Sequence, residues 1–266
     1  MELTSENVRR RALKMANECK RNTHLGGALS MVELLTVLYR DVMNYDFNNP
    51  EWEQRDRFIL SKGHCALTLD AIMVEAGVIS EEDSKTYLQD GSAYGAHPVM
   101  NIAHGIESSS GSLGQGISMA VGLAKAAKIK GENHKIYTLI GNGECDEGSV
   151  WEAVMLASQW KLDNLTVILD DNKLQGDGYS ADIIDMSNVD ERFKSFGFKV
   201  VSVDGHDEKA IKEAFEMESD GKPKVIIGHT VKGKGVSFIE DNNAWHHNRL
   251  TDEMYGKAME ELGGMR

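Results

Sequence analysis

The chain is short of residues that break or staple a backbone. It has three prolines and three cysteines in 266 residues. Cys19, Cys65 and Cys145 are far apart, odd in number and without zinc spacing, so neither a disulfide framework nor a zinc site organises the fold. A reducing compartment is the simplest reading, with Cys145 a passive thiol. No apolar run reaches the roughly 18 residues of a membrane span. The N-terminus opens a charged amphipathic helix rather than a signal-peptide apolar region, so cytoplasmic location is the default expectation. Basic residues are scarce too: 29 Lys and Arg against 42 Asp and Glu leave a formal charge of −13. With no Lys/Arg-rich run, that argues against nonspecific nucleic-acid binding. It leaves open the capture of an anion by a local metal and local amides.

What is present suits a soluble globular core: 41% hydrophobic and 27% charged residues, in ordinary proportion. There is no internal repeat, low-complexity tract or convincing linker, so a single domain spanning 1–266 is expected. Helical periodicity runs over 4–20, 31–43, 115–130 and 207–218, and Thr251 opens a last helix. Ser30 followed by Glu33 has the spacing of a capping box for the second of these. Residues 23–27 read as a break. Strand patterns occur at 57–60, 135–140, 165–169, 199–203 and 224–229. This alternation predicts a doubly wound, mainly parallel α/β sheet with helices on both faces. The Gly- and Ser-rich segment 91–112 is a long loop of the kind that often carries function. Trp151 and Trp160 read as core aromatics.

The strand at 135–140 feeds Gly141-Asn142-Gly143-Glu144, and a helix over 150–160 follows. The strand at 165–169 ends in Asp170-Asp171-Asn172. If these strands are parallel neighbours, Asn142 and Asn172 meet at their carboxyl ends, where open α/β sheets bind ligands. Glycine permits close backbone approach, and a helix N-terminus favours an anion. Carboxamide and backbone carbonyl oxygens suit Mg²⁺ or Ca²⁺. A metal-bound diphosphate is the expected occupant.

These residues resemble the thiamine diphosphate motif, and the match widens to the transketolase family. It runs through Glu147-Gly148, Trp151-Glu152-Ala153 and 161–165. It also includes 55–64, Gly111-Ser112-Leu113-Gly114-Gln115-Gly116, Val203-Asp204-Gly205-His206-Asp207 and Lys232-Gly233-Lys234-Gly235. The resemblance implies thiamine diphosphate with Mg²⁺ or Ca²⁺ as cofactors, the metal held by Asn142, Asn172 and Leu174. It implies cofactor contacts from His64, Gly111, Leu113, Gly143, Glu144, Asn172, Lys232 and His246. His24, His64, His97 and His246 match active-site histidines that bind sugar hydroxyls or move protons. Glu147 matches a glutamate at a subunit interface. His104, His134, His206, His229 and His247 receive no functional reading.

Three departures stand out. Asn142 occupies the place of a metal-binding Asp, Thr23-His24-Leu25-Gly26 replaces Ser-Gly-His-Pro, and Trp245-His246-His247 replaces Trp-His-Gly. Transketolases are also much longer, and only their diphosphate-binding part is matched. The implied protein is the N-terminal subunit of a split, α₂β₂ transketolase acting on sugars or sugar phosphates with a C-terminal, pyrimidine-binding subunit. Two alternatives stay open. One is an enzyme like deoxyxylulose-phosphate synthase, which His24-Leu25-Gly26 slightly resembles. The other is a cofactor-binding or scaffold protein that has lost its chemistry.

Overall fold

The structure is a computed structural model and describes residues 3–264, so the outermost residues of the single-domain expectation lie outside it. Its strands are β1 Asn22–Thr23, β2 Arg57–Leu60, β3 Ile136–Gly141, β4 Leu165–Asp171, β5 Lys199–Asp204, β6 Lys224–His229 and β7 Asn248–Arg249. β2 to β6 form one parallel sheet in the order β2-β3-β4-β6-β5. β1 and β7 pair antiparallel as a separate ribbon. Parallel neighbours require crossovers, and helices supply them. The expected mainly parallel, doubly wound α/β fold is the one observed.

Side-chain alternation along each strand divides the core in two. Phe58, Leu60, Tyr137, Leu139, Ile168 and Ile226 face a layer that contains the Ser5–Glu18, Val32–Val37, Ala66–Glu75 and Glu208–Glu216 helices. Ile59, Ile136, Ile140, Val167, Leu169 and Ile227 face Gln115–Lys130, Gly148–Gln159 and Val189–Ser195. Side-chain caps fix several helix starts: Thr4 accepts from the Asn7 amide, Asp207 from those of Lys209 and Ala210, and Thr251 from that of Met254, each satisfying an amide with no intrahelical partner. Among the described residues, no helix is long and apolar enough to cross a membrane.

The structure corrects four local expectations. Leu25–Ser30 is a buried helix, and its first three residues fall within the stretch 23–27 read as a break. Glycine is a poor helix former, but tight packing requires it here. A Cβ on Gly26 would stand 2.9 Å from the Trp245 carbonyl oxygen, and one on Gly27 would stand 2.8 Å from Cys65 Sγ. Ser30 therefore ends this helix instead of capping the next, which starts without a side-chain cap. Its supposed capping partner Glu33 pairs with Arg9 and, at 3.0 Å, with His206 Nδ1. The helix expected over 31–43 is α-helical only at Val32–Val37 and widens to a π-turn at Leu38–Val42. Trp151 is part-buried against Phe193 and Phe196, with ring centroids at 5.3 and 5.9 Å. Trp160 is 39% exposed, with Lys125 over its ring, and is not a core residue.

One core group carries a pH signature. Asp70 lies inside the apolar Ala66–Glu75 helix, 4% exposed, and burial alone pushes its carboxyl up to about 8. The folded chain thus keeps a proton that the unfolded chain releases from about pH 4 upward. Asp70 therefore costs stability increasingly as pH rises from about 4 to 8, at about 1.4 kcal/mol per pH unit. Asp70→Asn is uncharged throughout this range. Its unfolding free energy minus that of wild type, from urea titrations, is expected to be more positive at pH 8 than at pH 5. An equal difference at both pH values would mean that Asp70 ionises freely in the folded protein.

Candidate active site

The carboxyl ends of β2, β3, β4 and β6 converge on Asp170, which is fully buried at the end of β4. Lys62, just after β2 and 2% exposed, forms an ion pair with Asp170 Oδ2 and donates to the Gly27 carbonyl at 2.9 Å. Ser30 Oγ donates to the same carboxylate at 2.6 Å and Asn172 Nδ2 at 3.0 Å. Thr230 Oγ1 donates to its other oxygen. Burial works to raise the Asp170 carboxyl, but Lys62 and these hydroxyls hold it below the usual carboxylate range. Burial works to lower Lys62, and Asp170 more than offsets it. Both partners thus stay charged inside the protein.

Next to this pair, Gly141 lies opposite Asp170 in the β3–β4 register. That brings Asn142 and Asn172 to the carboxyl ends of adjacent strands, as their spacing predicts. Asn142 gives its amide N–H to Ser180 Oγ, so the carbonyl oxygen is what it offers a ligand. Asn172 Oδ1 accepts from the Leu174 amide at 3.1 Å and keeps a second lone pair. Leu174 starts a short hairpin, bridged to Tyr179. Glu144 is buried, and its carboxylate accepts from Ser61 Oγ, from the Gly114 amide at 2.7 Å and from the Gly141 amide at 3.3 Å. Its side chain is therefore a fastener for the loops around the cleft.

Histidines form the opposite wall. His24 sits between β1 and the Leu25–Ser30 helix, His64 in the turn after β2, and His246 after the Asn243–Trp245 turn. Their ring centroids are 5.1 Å (His24–His64), 5.4 Å (His24–His246) and 5.5 Å (His64–His246) apart. His97 joins at 6.1 Å from His24. Desolvation, reinforced by neighbouring positive groups, lowers His24 and His246 to about 4 and His64 to about 2. These three rings are neutral at physiological pH. Lys232, 1% exposed, donates to Gln175 O at 3.0 Å, Asn243 Oδ1 at 3.2 Å and His246 Nδ1 at 3.0 Å. An ammonium only donates, so His246 Nδ1 accepts and its Nε2 carries the proton. Burial lowers Lys232 to about 8, which still leaves it mostly charged at neutral pH.

Together these groups line a cleft of about 360 Å³ that includes His24, Lys62, His64, Gly111, Leu113, Gly143, Asn172, Leu174, Lys232 and His246. The residues fit a metal-bound diphosphate. Asn142, Asn172 and the Leu174 carbonyl are neutral hard donors. Gly143 lies so close to Gln175 that a Cβ would stand 2.8 Å from its side chain. Among the described residues, no group of three or more His, Cys, Asp or Glu is placed to hold a metal.

The family model described as "Transketolase, thiamine diphosphate binding domain" matches residues 4–265. The chain belongs to the transketolase family. It is 39% identical, over 98% of its length and 93% of the relative's, to a Phocaeicola vulgatus protein named as an apulose-4-phosphate transketolase subunit. It is 42% identical, over 90% of its length and 88% of the relative's, to a Clostridium protein named as a 6-deoxy-6-sulfo-D-fructose transketolase subunit. The transketolase structure from Campylobacter jejuni superposes with a TM-score of 0.89 at 34% identity, covering 98% of this chain. The chain spans only 42% of that one. It thus matches the thiamine diphosphate-binding part of a transketolase and nearly the whole of transketolase subunits named as separate chains.

Most residues that the transketolase resemblance picks out line this cleft. His97 stands at its edge, 3.2 Å from the position of a Cβ on Gly111. Glu147 does not line it; it is exposed at the start of the Gly148–Gln159 helix. His247 received no functional reading, and its ring lies 4.6 Å from that of His24. Lys62, Asp170, Thr230 and Gln175 were not singled out either. Their signal was positional: each lies within a few residues of the carboxyl end of a strand of a parallel sheet. His206 is structural as expected, accepting from the Val231 amide at 2.9 Å and contacting Glu33.

Removing one member of a buried ion pair leaves the other uncompensated, at a cost of roughly 3–5 kcal/mol. Asp170→Asn is expected to lose about that much unfolding free energy in urea titrations. The double variant Lys62→Met/Asp170→Asn is expected to regain part of it. A loss below about 1 kcal/mol would remove the pair from its central place.

Proposed function

We propose that this chain is the diphosphate-binding subunit of a two-chain transketolase. With a separately encoded C-terminal, pyrimidine-binding subunit, in an α₂β₂ assembly, it transfers a two-carbon ketol unit from a ketose to an aldose. The observation that carries this reading is one cleft combining a glycine-lined diphosphate cradle with a wall of neutral imidazoles. The near-complete coverage of relatives named as separate transketolase subunits supports the two-chain form. Both of those names specify a ketose with an acidic substituent, so sugars and sugar phosphates are the substrate class.

Asn142, Asn172 and the Leu174 carbonyl would hold Mg²⁺ (or Ca²⁺), with Gly143, the Glu144 amide and Lys232 against the diphosphate. When bound, thiamine diphosphate supplies a carbon nucleophile for a ketose carbonyl. This chain's own residues do the remaining work. Each neutral imidazole has one donor and one acceptor nitrogen, which matches a hydroxyl group. His24 and His64 orient the sugar by such bonds, and His97 adds a polar contact at the edge of the cleft. His246, fixed by Lys232 as the Nε2–H tautomer, can give that proton to an oxygen that gains negative charge. Glu147 and the exposed face around it belong to contacts between chains.

The test is reconstitution with the partner subunit, thiamine diphosphate and Mg²⁺, followed by assay of ketol transfer across a panel of ketoses and aldoses. Turnover is expected with both chains and not with either alone. A requirement for pyruvate would favour chemistry like that of deoxyxylulose-phosphate synthase, and silence across the panel would favour a binding protein.

A second prediction concerns the carboxamide at position 142. Asn142→Asp adds a negative ligand, and tighter Mg²⁺ binding is expected in calorimetric titrations with thiamine diphosphate present. The gain should be on the order of tenfold, or about 1.4 kcal/mol of added attraction. Equal affinities would remove Asn142 from the metal site.

A further inference from the structure

His247 is outside every role assigned so far, yet the fold places it with care. The ribbon pairs Asn22 with Arg249 and Thr23 with Asn248. One step further, the same antiparallel register sets His24 opposite His247. Directly opposed side chains on such a pair lie about 4.5–5.5 Å apart at Cβ, and the two rings have centroids 4.6 Å apart, tilted by 35°. His24 lines the cleft, whereas His247 is exposed and does not line it. The second ring therefore extends the histidine wall outward, from the cleft to its mouth. This is the position where the transketolase pattern has glycine, which offers no side chain.

We propose that His247 is a specificity-determining residue that, beside His24, binds a hydroxyl on the outer carbons of the sugar as it leaves the cleft. The inference rests on the transketolase reading of the cleft and adds a selective contact to it. Desolvation, with the neighbouring rings of His247, His246 and His97 and the Lys232 ammonium acting in the same direction, keeps His24 uncharged at neutral pH. An uncharged imidazole offers a dianion no countercharge. Its donor and acceptor nitrogens match the donor and acceptor sites of a hydroxyl group.

The contact should matter in proportion to the length of sugar that reaches it. The experiment uses the reconstituted two-chain enzyme with thiamine diphosphate and Mg²⁺. It compares wild type, His247→Gly and His247→Asn on glycolaldehyde, D-glyceraldehyde, D-erythrose and D-ribose as acceptors. For His247→Gly, the fall in kcat/KM is expected to be at least tenfold larger for erythrose or ribose than for glycolaldehyde, and to appear mainly in KM. His247→Asn, which retains a donor and an acceptor, should recover part of the loss. A uniform fall across all four acceptors, or no fall, overturns the assignment while leaving the transketolase reading intact. Absence of ketol transfer by the wild-type complex overturns both.

Discussion

A carboxylate taken out of water must be answered at its lone pairs by charge or by hydrogen bonds. Asp170 is answered by Lys62, Ser30, Asn172 and Thr230. Those partners come from four separate stretches of chain, so the ionic requirement of one side chain fixes the relative positions of the elements that build the cleft. Lys62 sets the turn that carries His64. Ser30 and the Gly27 carbonyl hold the helix that begins after His24. Thr230 ties down the segment leading to Lys232. Asn172 is both a strut of this network and a wall of the ligand site, so its carbonyl oxygen is pre-oriented by the same bonds that stabilise the fold.

The electrostatics of the cleft follow from its burial. The protein as a whole carries an excess of 13 negative charges, yet the cleft is lined by the three imidazoles of His24, His64 and His246 and the ammonium groups of Lys62 and Lys232. These coexist because desolvation neutralises the three innermost rings while Lys62 is compensated by Asp170. Lys232 is left as the cation facing the cleft, beside the carbonyl oxygens. The result is one end suited to an anion and its metal, and another suited to the neutral hydroxyls of a sugar.

Much of this was legible in the chain. Alternating apolar runs and helical periodicities define the parallel sheet, and the rule that such sheets bind at their carboxyl ends places Asn142 beside Asn172. Reading failed where a distant partner overrides local preference. The Leu25–Ser30 helix contains two glycines because neighbouring chain leaves no room for a Cβ, a fact held by Trp245 and Cys65 rather than by the segment itself. Nothing local marks Lys62 as half of a buried ion pair, because its counterion is 108 residues away. Nothing local ties His247 to His24, because only the register between residues 22–23 and 248–249 brings the two together. Ser30 and Glu33 have capping-box spacing, but each has a stronger partner elsewhere.

The strand order has a bearing on how the chain reaches this state. β6 follows β5 in sequence yet is inserted between β4 and β5, pairing with both. Until residues 224–229 are made, β4 has an unpaired edge and β5 has no neighbour in the sheet. Contacts of such long separation form slowly, and exposed strand edges invite association with other chains. Thr230 and Lys232 immediately follow β6, so the strand that closes the sheet also delivers the last hydroxyl to Asp170 and the cation to the cleft. During synthesis, neither the sheet nor the ligand site can therefore be completed before β6 is made.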